Sequence, residues 1–343
     1  MIVFAWEQFP QYAARAIGAF AKATTERVLV VATRPNAPVM GMEKIVGCPV
    51  VWINGHDDMR RIEEVVGAIP RAIFTTGWSV RPFNLYRDQV RANGGKAFAM
   101  VDNNFQLGWK DWLKNLRFQV FYRRKYDGYL VPGASGMKLM RFYGVPSSKV
   151  RQGFYSADET LFFSNKPLQK RMNRIVFVGQ FIKRKNVIRL CSAFMNIKDT
   201  KKAGWVLELY GYGKLKEKLP RSTSIKVNDF LQPEQIADIY RDSKIFILPS
   251  LEEHWGLVVH EAALSGCVML VSKTVGAADD FVTEKNGLTF NPRSLREIKF
   301  ALEYAMSMSE EQLADAERVS VELGEHINLS CFAEGVRSLL GDA

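Results

Sequence analysis

Short apolar runs alternate with amphipathic stretches along this chain, and after a polar break the alternation starts again. The first series of runs covers residues 1–5, 28–32, 50–53, 72–74, 97–101 and 129–131. Runs of three to six residues suit strands and are too short for helices. Helical patterns at 59–69 and 83–92 lie between them. That order predicts a parallel sheet with helices on both faces. The stretch 165–173 is polar, basic and carries Pro167, and it reads as a linker over 166–173. The second series predicts strands at 174–178, 205–210, 224–227, 244–248 and 268–272. Its helices are predicted at 186–195, 233–242 and 256–264, the second opening on Pro233 and the third closed by Ser265-Gly266. The expectation is an α/β chain of two Rossmann-like domains, 1–165 and 174–325, facing across a cleft. A tail over 326–343, with an amphipathic helix at 332–340, is expected to return to the first domain. Ligands of such sheets bind beyond the carboxyl ends of the strands.

With 47% hydrophobic and 24% charged residues, 343 residues can bury full cores, which excludes a disordered chain. Cys48, Cys191, Cys267 and Cys331 show no paired spacing and read as reduced thiols of a cytoplasmic protein. His56, His254, His260 and His326 form no metal-binding pattern, so neither a metal nor another cofactor is expected. Residues 1–5 read as a strand, with no leader, and no apolar run is long enough to span a bilayer. Charge is uneven. Residues 1–165 hold 22 Lys and Arg against 13 Asp and Glu, a net of +9, while the remainder holds 25 against 23. A basic first half implies anionic partners.

Three segments of the second half carry chemistry. Gly179 leaves a strand ahead of Lys183, Arg184, Lys185 and a helix start, which can cradle a phosphate through cations, main-chain N–H groups and the helix dipole. A solvated basic turn is the plain alternative. Gly211-Tyr212-Gly213 follows the next strand and by itself could be a tight turn. The most specific segment runs from Pro249-Ser250 to Glu261. It places Glu253 in a loop and Glu261 inside a helix, with Gly256 at the helix entry, where a ligand can approach the backbone. One acid near a helix N-terminus can be a mere dipole partner. Two at this spacing point to an anionic group bearing hydroxyls. His254 and His260 flank the acids and read as incidental.

Glu253-x-x-Gly256-Leu257 with Glu261-Ala262-x-x-x-Gly266 resembles the E-x7-E region of retaining GT-B glycosyltransferases, the glycosyl transferases group 1 family. Gly179-Gln180-Phe181 through Lys185, Gly211-x-Gly213, Gly276 to Asp280 and Asn286-Gly287-Leu288 are similar to that family's other motifs, in the same order. The resemblance implies a metal-independent transferase that takes a nucleotide-sugar donor. It implies Lys185 on the donor diphosphate, Glu261 on the ribose hydroxyls and Glu253 facing the sugar. Main-chain N–H groups of Trp255, Gly256, Leu257 and Val258 would help there. Gly179, Gln180, Lys183, Gly211, Phe230 and Leu231 would complete the donor site. Gln180 stands where the family has an arginine, and Lys183 or Arg184 is expected to supply that charge. The first half fits less closely, and Gln11, Tyr12 and Asp102 are its candidates for the acceptor side, with a strand-end cap as the equal alternative for Asp102.

Residues 109–125 place an apolar stripe at 109, 112, 113, 116 and 120, with Lys110, Lys114, Arg117 and Arg124 elsewhere on the wheel. This suits an anionic membrane or a lipid-diphosphate acceptor, or an ordinary helix with a solvated basic face. Basic and aromatic residues together also suit single-stranded nucleic acid, but no recognised motif supports that and no nucleic-acid partner is expected. The expected activity is retaining transfer of a sugar from a UDP- or GDP-linked donor to a glycan or lipid-linked acceptor in surface-polysaccharide synthesis such as lipopolysaccharide or capsule. The expected place is the cytoplasm, with a peripheral position on the inner face of the membrane as the alternative. A soluble small-molecule acceptor and an inactive nucleotide-sugar-binding protein are the alternatives.

Overall fold

A computed structural model describes residues 1–35, 40–54, 59–78, 80–106, 108–202 and 204–342. The chain divides into two compact units, Met1–Ser156 with the segment from Asn328 onward, and Ala157–Ile327.

The first unit is built on a seven-stranded sheet of β1 (Ile2–Trp6), β2 (Val28–Ala32), β3 (Val50–Trp52), β4 (Ala72–Thr76), β5 (Lys96–Met100), β6 (Gly128–Val131) and β7 (Val150–Gln152). Its order is β3-β2-β1-β4-β5-β6-β7, and every pairing is parallel. All five residues of the central β1 are buried. Such a strand reads as a continuous apolar run because helices cover both sheet faces. On one face Phe4, Phe74 and Phe98 stack in a row, and Phe332 packs on Phe4 with ring centres 5.7 Å apart. Val3, Ala5 and Ile73 belong to the core on the other face.

Phe332 comes from the helix Leu329–Leu340, whose Asn328 side chain caps the first turn by accepting from the Ser330 and Cys331 N–H groups. Its inner side chains Phe332 and Val336 are fully buried in the first unit's core. Gly153, at φ +105°, lets the chain pass under this helix: a Cβ there would lie 2.5 Å from the Cys331 carbonyl oxygen.

The second unit holds β8 (Met172–Val178), β9 (Val206–Tyr210), β10 (Ile225–Asn228), β11 (Ser243–Leu248), β12 (Val268–Ser272) and β13 (Gly287–Phe290). The order is β10-β9-β8-β11-β12-β13, again all parallel. Strand order reverses between β8 and β11, which opens a crevice at their carboxyl ends.

The expected boundary at 165 and linker at 166–173 need correcting. The boundary lies between Ser156 and Ala157, and the polar stretch is packed into the second unit. Leu168 is fully buried, and the Arg171 side chain donates to the Ser265 carbonyl at 2.7 Å and to Glu317 Oε1 at 2.9 Å. Met172 and Asn173 already belong to β8. A buried arginine with a carboxylate and carbonyl partners is structural, whatever the polarity of its sequence surroundings.

Candidate functional site

Two loops meet at the point where the second sheet reverses its strand order. The first leaves β8 at Gly179 and runs through a short 3-10 turn, Lys183–Lys185, into the helix Val187–Met195. The second leaves β11 at Pro249 and enters the helix Leu257–Leu264. They are laced together by their main chains and side chains. The Leu251 N–H donates to the Arg184 carbonyl at 2.8 Å, and the Arg184 guanidinium to the Glu252 carbonyl at 2.8 Å. Asn186, in a left-handed conformation at φ +60°, donates its side-chain amide to the carbonyls of Pro249 and Pro292.

Lys185 and Glu253 form an ion pair across these loops, and Arg184 lies 3.2 Å from the same Glu253 oxygen. The Ser250 hydroxyl donates to it at 3.3 Å. Burial by itself would raise the Glu253 carboxyl. The charges of Lys185 and then Arg184 outweigh it and hold the group below the usual carboxylate range. Its main chain is fixed too, because Glu253 pairs with Val275 in a parallel bridge and donates its N–H to the Thr274 carbonyl at 3.2 Å.

Gly256 sits directly beside this carboxylate at φ +94°, and a Cβ there would press on the Glu253 Cγ at 3.2 Å. The helix it opens presents the N–H groups of Leu257 and Val258, which have no partner inside the helix. Two cations and a helix N-terminus therefore surround one ionised carboxylate, an arrangement suited to a polar, anionic ligand. Trp255 is buried with its ring edge-on to Phe281, and its indole N–H is buried without a hydrogen-bond partner.

Glu261 is one full turn into that helix. It is partly buried, and burial pushes its carboxyl up to about 7. The nearby Tyr240 hydroxyl is itself buried without a hydrogen bond of good geometry. His260 next to it is structural. Its Nδ1 accepts from the Ala157 N–H at 3.0 Å, which leaves Nε2–H to donate to the Gly324 carbonyl at 2.8 Å. Burial pushes this ring down to about 4.

The other candidates group differently. Gly211 touches the loop after β8, since a Cβ on it would lie 1.9 Å from the Gly179 carbonyl oxygen. Gln180 donates to the Tyr212 hydroxyl at 2.8 Å, and the Tyr212 ring meets Phe230 edge-on at 5.8 Å. Gly179, Gln180, Gly211 and Phe230 thus line one rim, with Leu231 following Phe230. Lys183 does not join Glu253; it is exposed and borders a groove of about 790 Å³ with Arg189 and Arg293. Of the two cations weighed against Gln180, Arg184 is the one at the carboxylate. His56 lies outside the described residues. Among the described residues no cluster of His, Cys, Asp and Glu has the makings of a metal site.

In the first unit, Gln11 opens the helix Gln11–Lys22 and donates to the Met40 carbonyl at 2.7 Å. Tyr12 packs edge-on against Tyr155, whose hydroxyl donates to Asp102 at 3.0 Å. Burial and then the Asp102 charge push the Tyr155 hydroxyl well up. The structure thus joins Tyr12 and Asp102 through Tyr155, which sequence reasoning passed over. Ser250 and Tyr212 stood inside the motif segments without a role of their own, and Tyr240 carried no signal.

Residues 158–318 match the model of the family described as glycosyl transferases group 1. A sulfoquinovosyl transferase of Arabidopsis thaliana is 27% identical over 203 residues, which cover 53% of this chain and 38% of that protein. A putative teichuronic acid biosynthesis glycosyltransferase of Bacillus subtilis is 27% identical over 177 residues, 52% of this chain and 41% of its own. These matches take in about two fifths of each relative's length. The Anabaena protein HepE, solved in complex with UDP and glucose, superimposes with a TM-score of 0.77 at 12% identity, with both chains fully covered. Residues 158–318, which hold the Lys185–Glu253 cluster and Glu261, thus match the glycosyl transferases group 1 family, on a chain with the GT-B fold of two Rossmann-like domains.

Proposed function

We propose that this chain is a retaining glycosyltransferase that moves a sugar from a UDP- or GDP-linked donor to a glycan or lipid-linked acceptor. One observation carries the reading: Lys185, Arg184 and a helix N-terminus converge on the ionised Glu253 at the strand-order reversal. The demanding step is departure of a nucleoside diphosphate as its bond to the anomeric carbon breaks. Preorganised cations and main-chain N–H groups stabilise the charge that develops there. Lys185, swinging from Glu253 to the diphosphate, and Arg184 supply it. Glu253 accepts from hydroxyls of the transferred sugar, and Glu261 from the ribose. The acceptor oxygen bonds to the anomeric carbon on the face the phosphate leaves, and its proton passes to the departing phosphate oxygen. Gln180, Tyr212 and Phe230 form the side nearest the base. Tyr12, Tyr155 and Asp102 are the acceptor-side candidates. A surface polysaccharide as the product is supported by the likeness to the Bacillus subtilis relative, which is named for teichuronic acid biosynthesis.

Calorimetry with UDP and GDP, paired with turnover of nucleotide-sugars, tests this. Glu261→Ala is expected to weaken nucleotide binding ~10-fold or more, as loss of charge-assisted hydrogen bonds does. Lys185→Ala is expected to lower turnover ~100-fold. Unchanged nucleotide affinity in the first variant, or parental turnover in the second, overturns these roles. Nucleotide binding with no sugar released or transferred from any donor would leave an inactive binding protein. That second reading draws on Gln180, which is bonded to Tyr212 where the family carries an arginine.

A further inference from the structure

The helix Trp109–Phe121 of the first unit turns its apolar stripe away from the core. Trp109, Trp112, Leu113, Leu116 and Val120 are 70%, 62%, 58%, 63% and 64% exposed. At 3.6 residues per turn these five fall within an arc of ~100°. The side opposite is the one that packs. It holds Phe118, 1% exposed and stacked on Tyr143, and the buried Asp111, whose carboxylate caps the helix by accepting from the Gly108 N–H at 3.1 Å. Phe121 extends the outward surface, and Trp112 is propped edge-on against Phe142. Isolated exposed apolar residues are ordinary, whereas a contiguous face of this size marks a surface with a partner.

Its borders are basic. Arg117, Arg123 and Arg124 are exposed, and among the described residues none of them has a carboxylate within ion-pair distance. Arg117 donates to the Tyr122 hydroxyl and Arg123 to the Gln119 side chain, both neutral partners. Lys114 is paired with Asp111 at 3.5 Å, and the Lys110 side chain lies outside the described residues.

We propose that this face docks on an anionic phospholipid bilayer. The helix lies in the plane of the interface, with the aliphatic and tryptophan side chains entering it and the three arginines meeting headgroup phosphates. Tryptophan rings suit that depth, being apolar in body with one polar N–H. No described helix is long and apolar enough to cross a membrane, so the contact is peripheral. A second copy of the chain fits less well, because a two-fold contact through this stripe would bring each arginine border against its own copy. The inference goes beyond the donor reading and does not rest on it.

Flotation of the purified chain with vesicles of phosphatidylcholine alone, and of phosphatidylcholine mixed with phosphatidylglycerol, tests the proposal. At low salt the chain is expected to float with the mixed vesicles and to stay behind with the neutral ones. Leu116→Glu with Val120→Glu is expected to cut vesicle affinity ~10-fold or more. Arg117→Gln with Arg124→Gln is expected to cut it roughly 30-fold on anionic vesicles only. Both variants change exposed side chains, so calorimetric UDP binding should stay at the parental value. That readout separates this proposal from failure of the donor site. The proposal is overturned by absence of flotation at low salt, or by variants that float like the parent. It is equally overturned by light scattering that shows a dimer, dissolved by the Glu variants, with no vesicle binding.

Discussion

Glu253 and Glu261 are two carboxylates of one motif shifted in opposite directions. Cations hold the first below the usual carboxylate range, and burial raises the second to about 7. The motif spacing was legible because both acids sit within one strand-loop-helix segment. The partners were not: Lys185 lies 68 residues before Glu253, and only the adjacency of β8 and β11 brings them together. A consequence for stability follows at Glu261. Its folded value of about 7 is above the ordinary 4.5, so its contribution is complete below 4.5 and is lost as pH rises through 7. His260, lowered from 6.5 to about 4, works the other way and loses its contribution as pH falls through 4. Glu261→Gln removes the first effect alone. Measured by denaturation, the variant should gain on the parent between pH 4 and pH 8 by about 1–2 kcal/mol, a figure reduced for the partial exposure of the side chain. A gap that stays constant over that range would show that burial does not hold this carboxyl up.

At the scale of elements, the loops after β8 and β9 touch main chain to main chain. Phe181 donates its N–H to the Tyr212 carbonyl at 2.6 Å, and Gly211 fits only because it has no Cβ. Gly211→Ala should force the loop holding Gln180 and Lys185 to move, costing about 2–4 kcal/mol and most nucleotide affinity. Thermal unfolding with and without UDP checks it, and parental behaviour would show that the loops yield easily. The two glycines were visible as a weak pattern, but the close approach that explains them depends on strand order. The helix Trp109–Phe121 shows a related limit. Its periodicity was plain in the sequence, yet periodicity says only that apolar residues share a face. That this face points outward was decided by Phe118 and Asp111, which take the inner side.

Over the whole molecule, alternation of runs was enough to anticipate two parallel sheets, because a strand buried on both faces is apolar throughout. Division of the chain was harder to read, since polar stretches such as 165–173 look like linkers unless their packing partners are known. Arg171 acquires its partners from Ser265 and Glu317, far along the chain. The first unit likewise depends on distant residues: Phe332, Val336 and Leu340 belong to its core. A chain ended after Ile327 should therefore unfold in two separate transitions, with the second unit near its parental midpoint. The first unit should be weakened by at least ~5 kcal/mol through loss of three buried side chains. Calorimetry checks this, and a single parental transition would contradict it. The same arrangement has a meaning during synthesis. The second unit is encoded as an insertion within the first, so it emerges whole while the first still lacks a helix of its core. The half translated earliest is completed only after the second, and until the helix Leu329–Leu340 leaves the ribosome the uncovered Phe4 face is a surface for chaperones to guard.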